Sequence, residues 1–542
     1  MKTTPETQVE AYHASGAWTD DTIYSLFAAA AQAHPDRLAV VDAPDRANWT
    51  GGQPRQLTYA EAADEIDRLA SFYGALGLST DHVLGIQAPN TVDAVIAFLA
   101  ALRANLIVAP LPLHWRQKNV LDALNAIGAK GLIAADRVET RQVAKSARDV
   151  AAELFSLRFV FGLGKDIPDG LIELGPMLAE MGDDLPPLEL ERDASADHVA
   201  TICWSRSGSE TAPVARSHGH WTAAARHLLS EADPGSGHRF LVPYALSGLT
   251  GIGAGLMPWL MTGGTLHLHH PTSLNLLTAH ANDVEADYVL TPGPLAQILD
   301  RNITRPQTVI AAAWNVAAPE PGAFSPRHPV VDLHVADEFA LIAKARGSSA
   351  KVQATALGKH GGRMGCESGP ALVEIGLHQK DGSPAAPSLK VKGPMVPDFG
   401  WTTRTSAVFL PDEDGFIDTR IHVRPVDGGI AGFGIPGQYA VGTGDLGSID
   451  CIYAAYPGVR DAAAFLVEDS VLGARLHAAL VPVQGTVPDA KAFYAFLDAE
   501  GVDLAKIPHR VLVLQSLPTH EDGSLNRERL TLRTQRLPAA VA

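Results

Sequence analysis

Cysteine is scarce in this chain of 542 residues: only Cys203, Cys366 and Cys451 are present. Three thiols with no metal-like spacing exclude a disulfide scaffold and suit a reducing compartment. Long apolar runs are missing too. No uncharged stretch reaches the roughly 18 residues a transmembrane helix needs. The opening residues, "MKTTPETQVEAYHASGAWTDD", have no apolar signal core. These absences lead us to expect a cytoplasmic location and no membrane partner. Positive charge is in deficit, with 43 Lys and Arg against 60 Asp and Glu and a net charge of -17. Nucleic acid as main partner is therefore excluded, since it needs clustered cations. No fixed-period repeat is present. What remains is an ordinary globular composition, 46% apolar and 19% charged, in a chain long enough for at least two domains.

The first third alternates helix and strand. "TIYSLFAAAAQAHPDRLAVVD" reads as a helix stopped near Pro35, then a buried strand at 38–41. "LTYAEAADEIDRLASFYGALG" opens with Thr58 and Glu61 at capping-box spacing and closes with glycines at 74 and 77. "HVLGIQA", "LIVAPL" and "GLIAAD" read as strands between the helices "TVDAVIAFLAALRA" and "QKNVLDALNAIGA". Such alternation predicts an α/β fold whose mostly parallel sheets are covered by helices. The predicted large domain spans 1–450, with subdomains at about 1–200, 201–346 and a β-rich 347–450. A small α+β carboxyl-terminal domain follows at 451–542.

One stretch raises a chemical question. "CWSRSGSETAPVARSHGH", Cys203 to His220, has the small and hydroxyl residues of a phosphate-binding loop. Where such a loop carries a lysine it has Val214, and it also holds Glu210. A carboxylate about 4 Å from another unit negative charge is repelled by roughly 4 kcal/mol at an effective dielectric near 20.

The order of motifs resembles the adenylate-forming superfamily of acyl-CoA and aryl-acid ligases along essentially the whole chain. "SGSETAPVARSHGH" is similar to "SGTTGxPKxxxxSH", "HVADEFALIA" to "YGMTE", and "LKVKGPMV" to "LxVRGPxV". "GTGDLGSID" contains TGDLG intact, and "LPTHEDGSLNRERL" is similar to the ending "GKxxR". The resemblance implies a carboxylate activated by ATP as acyl-AMP, then a thiol such as CoA displacing AMP as a small domain rotates. It places an adenine wall at Ala317, Ala318 and Pro319. His334, Val335, Ala336, Asp337 and Glu338 would face acyl-AMP, and Asp445 the ribose. Tyr244, Leu246, Ser247 and Gly248 would line the acyl pocket.

Several adenylation devices are replaced together. Val214 stands for the loop lysine, Glu210 for a loop hydroxyl, and Ser524 for the lysine of "GKxxR". "TGDLGSID" runs almost directly into "CIYAAYPGVRDAA", so the hinge segment is missing. The same pattern is similar to the non-adenylating acyl-CoA ligase type of platensimycin and platencin diterpenoid biosynthesis. That implies thioester formation on a bulky terpenoid acyl-AMP supplied by an adenylating partner ligase, with CoA as acceptor and no ATP or magnesium. No metal site and no catalytic base are assigned. Plain structural readings stand beside these: a drifted surface loop for Glu210 and Val214, a turn aspartate for Asp445, a satisfied pocket histidine for His334, and core packing for 244–248. His218 reads as a loop anchor and Cys203 as packing. Two further functions stay open: a non-catalytic acyl-nucleotide-binding partner, and a complete ATP-dependent ligase using Lys506 or Lys351. A carrier-protein thiol is also an open acceptor.

Overall fold

Helix starts are set by local capping. In the computed structural model of the chain the Thr58 hydroxyl accepts the Glu61 N–H at 3.2 Å, and the Glu61 carboxylate accepts the Thr58 N–H at 2.8 Å. This box opens the helix Tyr59–Ala75. Thr22 with Ser25, and Ser217 with His220, open Ile23–Ala33 and His218–Ala232 in the same way. The structure describes all residues except 182–184, 191, 206–210, 234, 236, 315–323, 348–351, 362–368, 380–386, 398–400, 402–409, 434–445, 470–472, 487, 503–505, 521–522 and 536–542.

Two large sheets share one core. The first has seven strands in the spatial order Ile172–Glu173, Phe159–Leu163, Gly131–Ala135, Val83–Gln87, Ile107–Pro110, Val199–Ser205 and Ala212–Ser217. Its pairs are parallel except the last, which is antiparallel. The second has eight strands, from Ala340–Ala345 through Val330–Ala336, Val309–Trp314, Tyr288–Pro292, Arg239–Val242, Thr265–Leu268 and Leu38–Val41 to Gln56–Thr58. It is parallel inside and antiparallel at both edges. The helix Val92–Arg103 is apolar and buried almost all round, as a helix packed between layers must be. It joins residues of Ile23–Ala33, Tyr59–Ala75 and His218–Ala232 in the main hydrophobic core.

The sheets cross the division expected near residue 200. Strands Val199–Ser205 and Ala212–Ser217 complete the first sheet, while Leu38–Val41 and Gln56–Thr58 join the second. Both sheets cover the same helices, so the chain can change sheet without leaving the core. A five-stranded antiparallel sheet follows within 358–433. The small unit has three strands, Val459–Asp469, Gly473–Pro482 and Arg510–Val513, around its own apolar clusters. Its first helix, Leu446–Ala454, packs on Val459–Asp469. The expected boundary at 451 thus falls inside that helix. The hinge question lies at 434–445, outside the described residues. Arg116 of the large unit pairs with the Asp498 carboxylate of the small one and donates to the Asp498 carbonyl at 3.2 Å.

Candidate functional site

The strand pair Val199–Ser205 and Ala212–Ser217 sets one wall of the site. Its register places Arg216 opposite Thr201, Val214 opposite Cys203 and Ala212 opposite Ser205. Directly paired residues share a face, so these six side chains line one side of the ribbon. Val214 is fully buried there and belongs to the main core. A cation at this position would be buried with it. Glu210 lies outside the described residues.

The second wall is the hairpin of Val330–Ala336 with Ala340–Ala345. Its turn holds Asp337 in the left-handed region, φ 48°, which Asp tolerates better than most residues. The Ser205 hydroxyl donates to Asp337 Oδ2 at 2.5 Å, tying the turn to the first wall. Arg216 reaches across as well. It donates from Nη2 to the Glu338 carbonyl and from Nη1 to the Met395 carbonyl, the latter at 2.6 Å. The guanidinium is fully buried and lies 4.9 Å from the Trp221 ring centre. Burial pulls it below its ordinary pKa, and the Glu338 carboxylate opposes that pull.

The acyl-pocket segment meets this turn at Gly248. Its φ is 63°, and a methyl group on it would lie 2.3 Å from Glu338 Oε1. Only glycine suits both the backbone and the approach. Gly248 opens the buried π-helix Leu249–Leu256. Tyr244 and Leu246 pack against the core while keeping part of their surface exposed, and burial raises the Tyr244 phenol. Cys203 borders the same cluster. Burial, then the Glu338 charge, pushes its thiol up, so it stays protonated at neutral pH and is no nucleophile.

His334 sits on the hairpin strand between Trp314 and Ile342. Burial holds its pKa down to about 4, so the ring is neutral near pH 7. The strand is braced below by Asp332, which accepts from Trp314 Nε1 at 2.9 Å and from Arg346 at 2.6 and 2.9 Å. His218 and His220 are both engaged at the start of their helix. His218 Nδ1 accepts the Ile23 N–H at 3.1 Å, and His220 closes its helix-capping box. Ser524 is exposed in the small unit, where its carbonyl accepts the His520 N–H at 2.8 Å. Lys506 lines a cavity of about 360 Å³ at the seam with Lys118, Asp122 and Glu500. Ala317, Ala318, Pro319, Asp445 and Lys351 lie outside the described residues.

The structure therefore brings Glu338, the last residue of the segment 334–338, against Gly248, and it adds Arg216 and Ser205, which sequence reasoning missed. The available signal was period two: Arg216 lies two residues beyond Val214, on the same face of one strand.

Residues 27–300 match the AMP-binding enzyme family. The chain belongs to that family. It is 32% identical over 183 residues to the salicyl-AMP ligase / salicyl-S-ArCP synthetase of Mycobacterium tuberculosis, covering 34% of this chain and 31% of that enzyme. Over 502 residues, 87% of this chain and 90% of the relative, it is 22% identical to the probable CoA ligase CCL9 of Humulus lupulus. The amide bond synthetase McbA of Marinactinospora thermotolerans has the same fold, with a TM-score of 0.74 and 19% identity over 95% of this chain and 99% of that one. The family model and these relatives place the chain among adenylate-forming enzymes. Among its described residues no helix is long and apolar enough to cross a membrane.

Proposed function

We propose that this enzyme performs the second half-reaction of its family on a preformed mixed anhydride. In the proposed reaction a thiolate, from CoA, attacks the acyl carbon of acyl-AMP, the acyl–phosphate bond breaks, and AMP leaves with the electron pair. The thiol proton passes to solvent. Acyl-AMP is already activated, so the step needs chiefly positioning.

One observation carries the reading. The position that the resemblance gives to the phosphate-loop lysine is Val214, sealed in the core opposite Cys203. The buried carboxylates Asp337 and Glu338 stand nearby. A triphosphate needs clustered positive charge around it, and among the described residues this wall offers carboxylates and the Arg216 guanidinium, which is bonded to the Glu338 and Met395 carbonyls. Ser524, in place of a second lysine, has neither charge nor reach. On this reading ATP and magnesium are not required, and a separate adenylating ligase supplies the substrate. Asp445 and 317–319 would hold the nucleotide, and 244–248 the acyl group. A bulky terpenoid acyl group is the substrate class the resemblance implies.

The match to a salicyl-AMP ligase favours a second reading, a complete ATP-dependent ligase with a displaced lysine such as Lys506. The test is a panel of synthetic acyl-AMPs, from benzoyl to diterpenoid, offered with CoA or with a carrier-protein thiol in the absence of ATP. Thioester detected by mass spectrometry with at least one acyl group supports the proposal and identifies the acceptor. Binding of acyl-AMP without acceleration of thioester formation would instead mark a non-catalytic nucleotide-binding partner.

A further inference from the structure

A cavity of about 270 Å³ lies apart from the acyl-adenylate wall, toward the opposite edge of the seven-stranded sheet. Leu163 ends the strand Phe159–Leu163, Leu174 directly follows the edge strand Ile172–Glu173, and Asp93 opens the helix after Val83–Gln87. These residues lie on the carboxyl side of parallel strands, where open α/β sheets take their ligands. The volume falls just below the roughly 300–1,000 Å³ of small-molecule pockets, so the cavity suits a small occupant.

The lining is divided. Leu69, Ile96, Leu163, Leu174 and Leu178 make one part apolar, and Arg55, Glu65, Arg68 and Asp93 make the other part charged. Both carboxylates are occupied. Arg55 pairs with Glu65 and with Asp93, and Arg46 pairs with Asp93 as well. Asp42, which shares Arg46, does not line the cavity; it is buried and takes the N–H groups of Arg55 and Val92. Arg68 differs. It donates from Nη2 to the Leu178 carbonyl at 2.9 Å, and among the described residues no carboxylate pairs with it and its buried Nε has no partner. A buried N–H left unbonded is costly. A guanidinium presents a planar fork that matches a carboxylate with two parallel N–H bonds. One fork beside an apolar wall is complementary to a molecule with one carboxylate and a hydrocarbon part.

We propose that this cavity binds a small apolar monocarboxylate, its carboxylate on Arg68 and its hydrocarbon part against the leucines and Ile96. The site shares no residue with the acyl-adenylate wall, and the proposal stands independently of the half-reaction above.

Calorimetry on the full chain tests it with butanoate, hexanoate and octanoate, and with octanol as the uncharged control. Affinity should rise by about three- to fourfold for each added methylene until the cavity is filled. Octanol should bind at least about tenfold more weakly than octanoate, and Arg68→Met should cost octanoate about tenfold or more. Gly175→Phe should block the cavity it lines. Its backbone is helical and a Cβ there meets nothing within 4 Å, so the fold should tolerate the change. Anomalous scattering from bromo-octanoate in crystals of the protein locates the ligand, and bromine against Leu163 and Leu178 supports the proposal. Bromine at 244–248 alone, octanol binding as tightly as octanoate, or octanoate affinity unchanged in Arg68→Met overturns it. So does a wild-type protein that binds no octanoate. If Arg68→Met does not fold, Gly175→Phe decides, and octanoate binding retained at full strength in that variant refutes the site.

Discussion

At the scale of single residues, Val214 and Gly248 carry the most testable consequences. Restoring a lysine at 214 is expected to fail as a gain of function. The side chain is sealed in the core, and an ammonium there loses its hydration, at a cost on the order of 3 kcal/mol or more. Urea unfolding of Val214→Lys should show that loss, and pyrophosphate release from ATP and acid should stay at background. Gly248→Ala combines a left-handed φ with a methyl 2.3 Å from Glu338 Oε1. It should destabilise the protein by about 1–3 kcal/mol and lower turnover of acyl-AMP. The double variant Gly248→Ala/Glu338→Ala should lose less than the sum of the two single changes.

At the scale of elements, a histidine group on the second sheet makes stability depend on pH. His267 lies on the strand Thr265–Leu268, His269 follows it, and His280 comes from the helix Leu274–Asp283. His269 Nδ1 and His280 Nδ1 are 3.2 Å apart. Burial lowers all three, His267 and His269 to about 4. Neighbouring charges act unequally: Arg239 faces His267, Asp45 and His270 face His269, and Asp45 and Asp283 face His280. Folded values below the unfolded value near 6.5 mean that their full contribution is present above about pH 6.5 and is lost as pH falls toward 4. Unfolding free energies measured near pH 7.5 and near pH 5 should differ in that direction, and His280→Gln should flatten the dependence. These elements also show what the sequence can tell. Capping at Thr58, helix and strand alternation, and the β-rich stretch after 347 are local patterns, and they read directly. Sheet membership is not local: nothing in 38–41 or 56–58 says which sheet those strands will join. The π-helix 249–256 escapes too, since its apolar run fits any buried helix. Arg216 escapes a motif matched position by position, whereas the strand's period of two places it beside Val214. The expected nucleotide contacts at 317–319 and 445 fall outside the described residues, so their placement rests on the motif resemblance.

At the scale of the whole molecule, the question is whether this chain performs both steps of a two-step chemistry or one of them. The seam between large and small units is held in part by Arg116 and Asp498. Asp498 is mostly exposed, so Asp498→Ala should change global stability by less than about 1 kcal/mol; any larger effect on thioester formation would point to the seam as a functional contact. The most direct measurement of the central claim is a paired reaction with purified protein. One vessel holds a carboxylic acid, ATP, magnesium and CoA; the other holds the matching acyl-AMP and CoA without ATP. Thioester in the second vessel alone is the expected result. Thioester in both would contradict the account and show that another cation takes the place of the missing lysines.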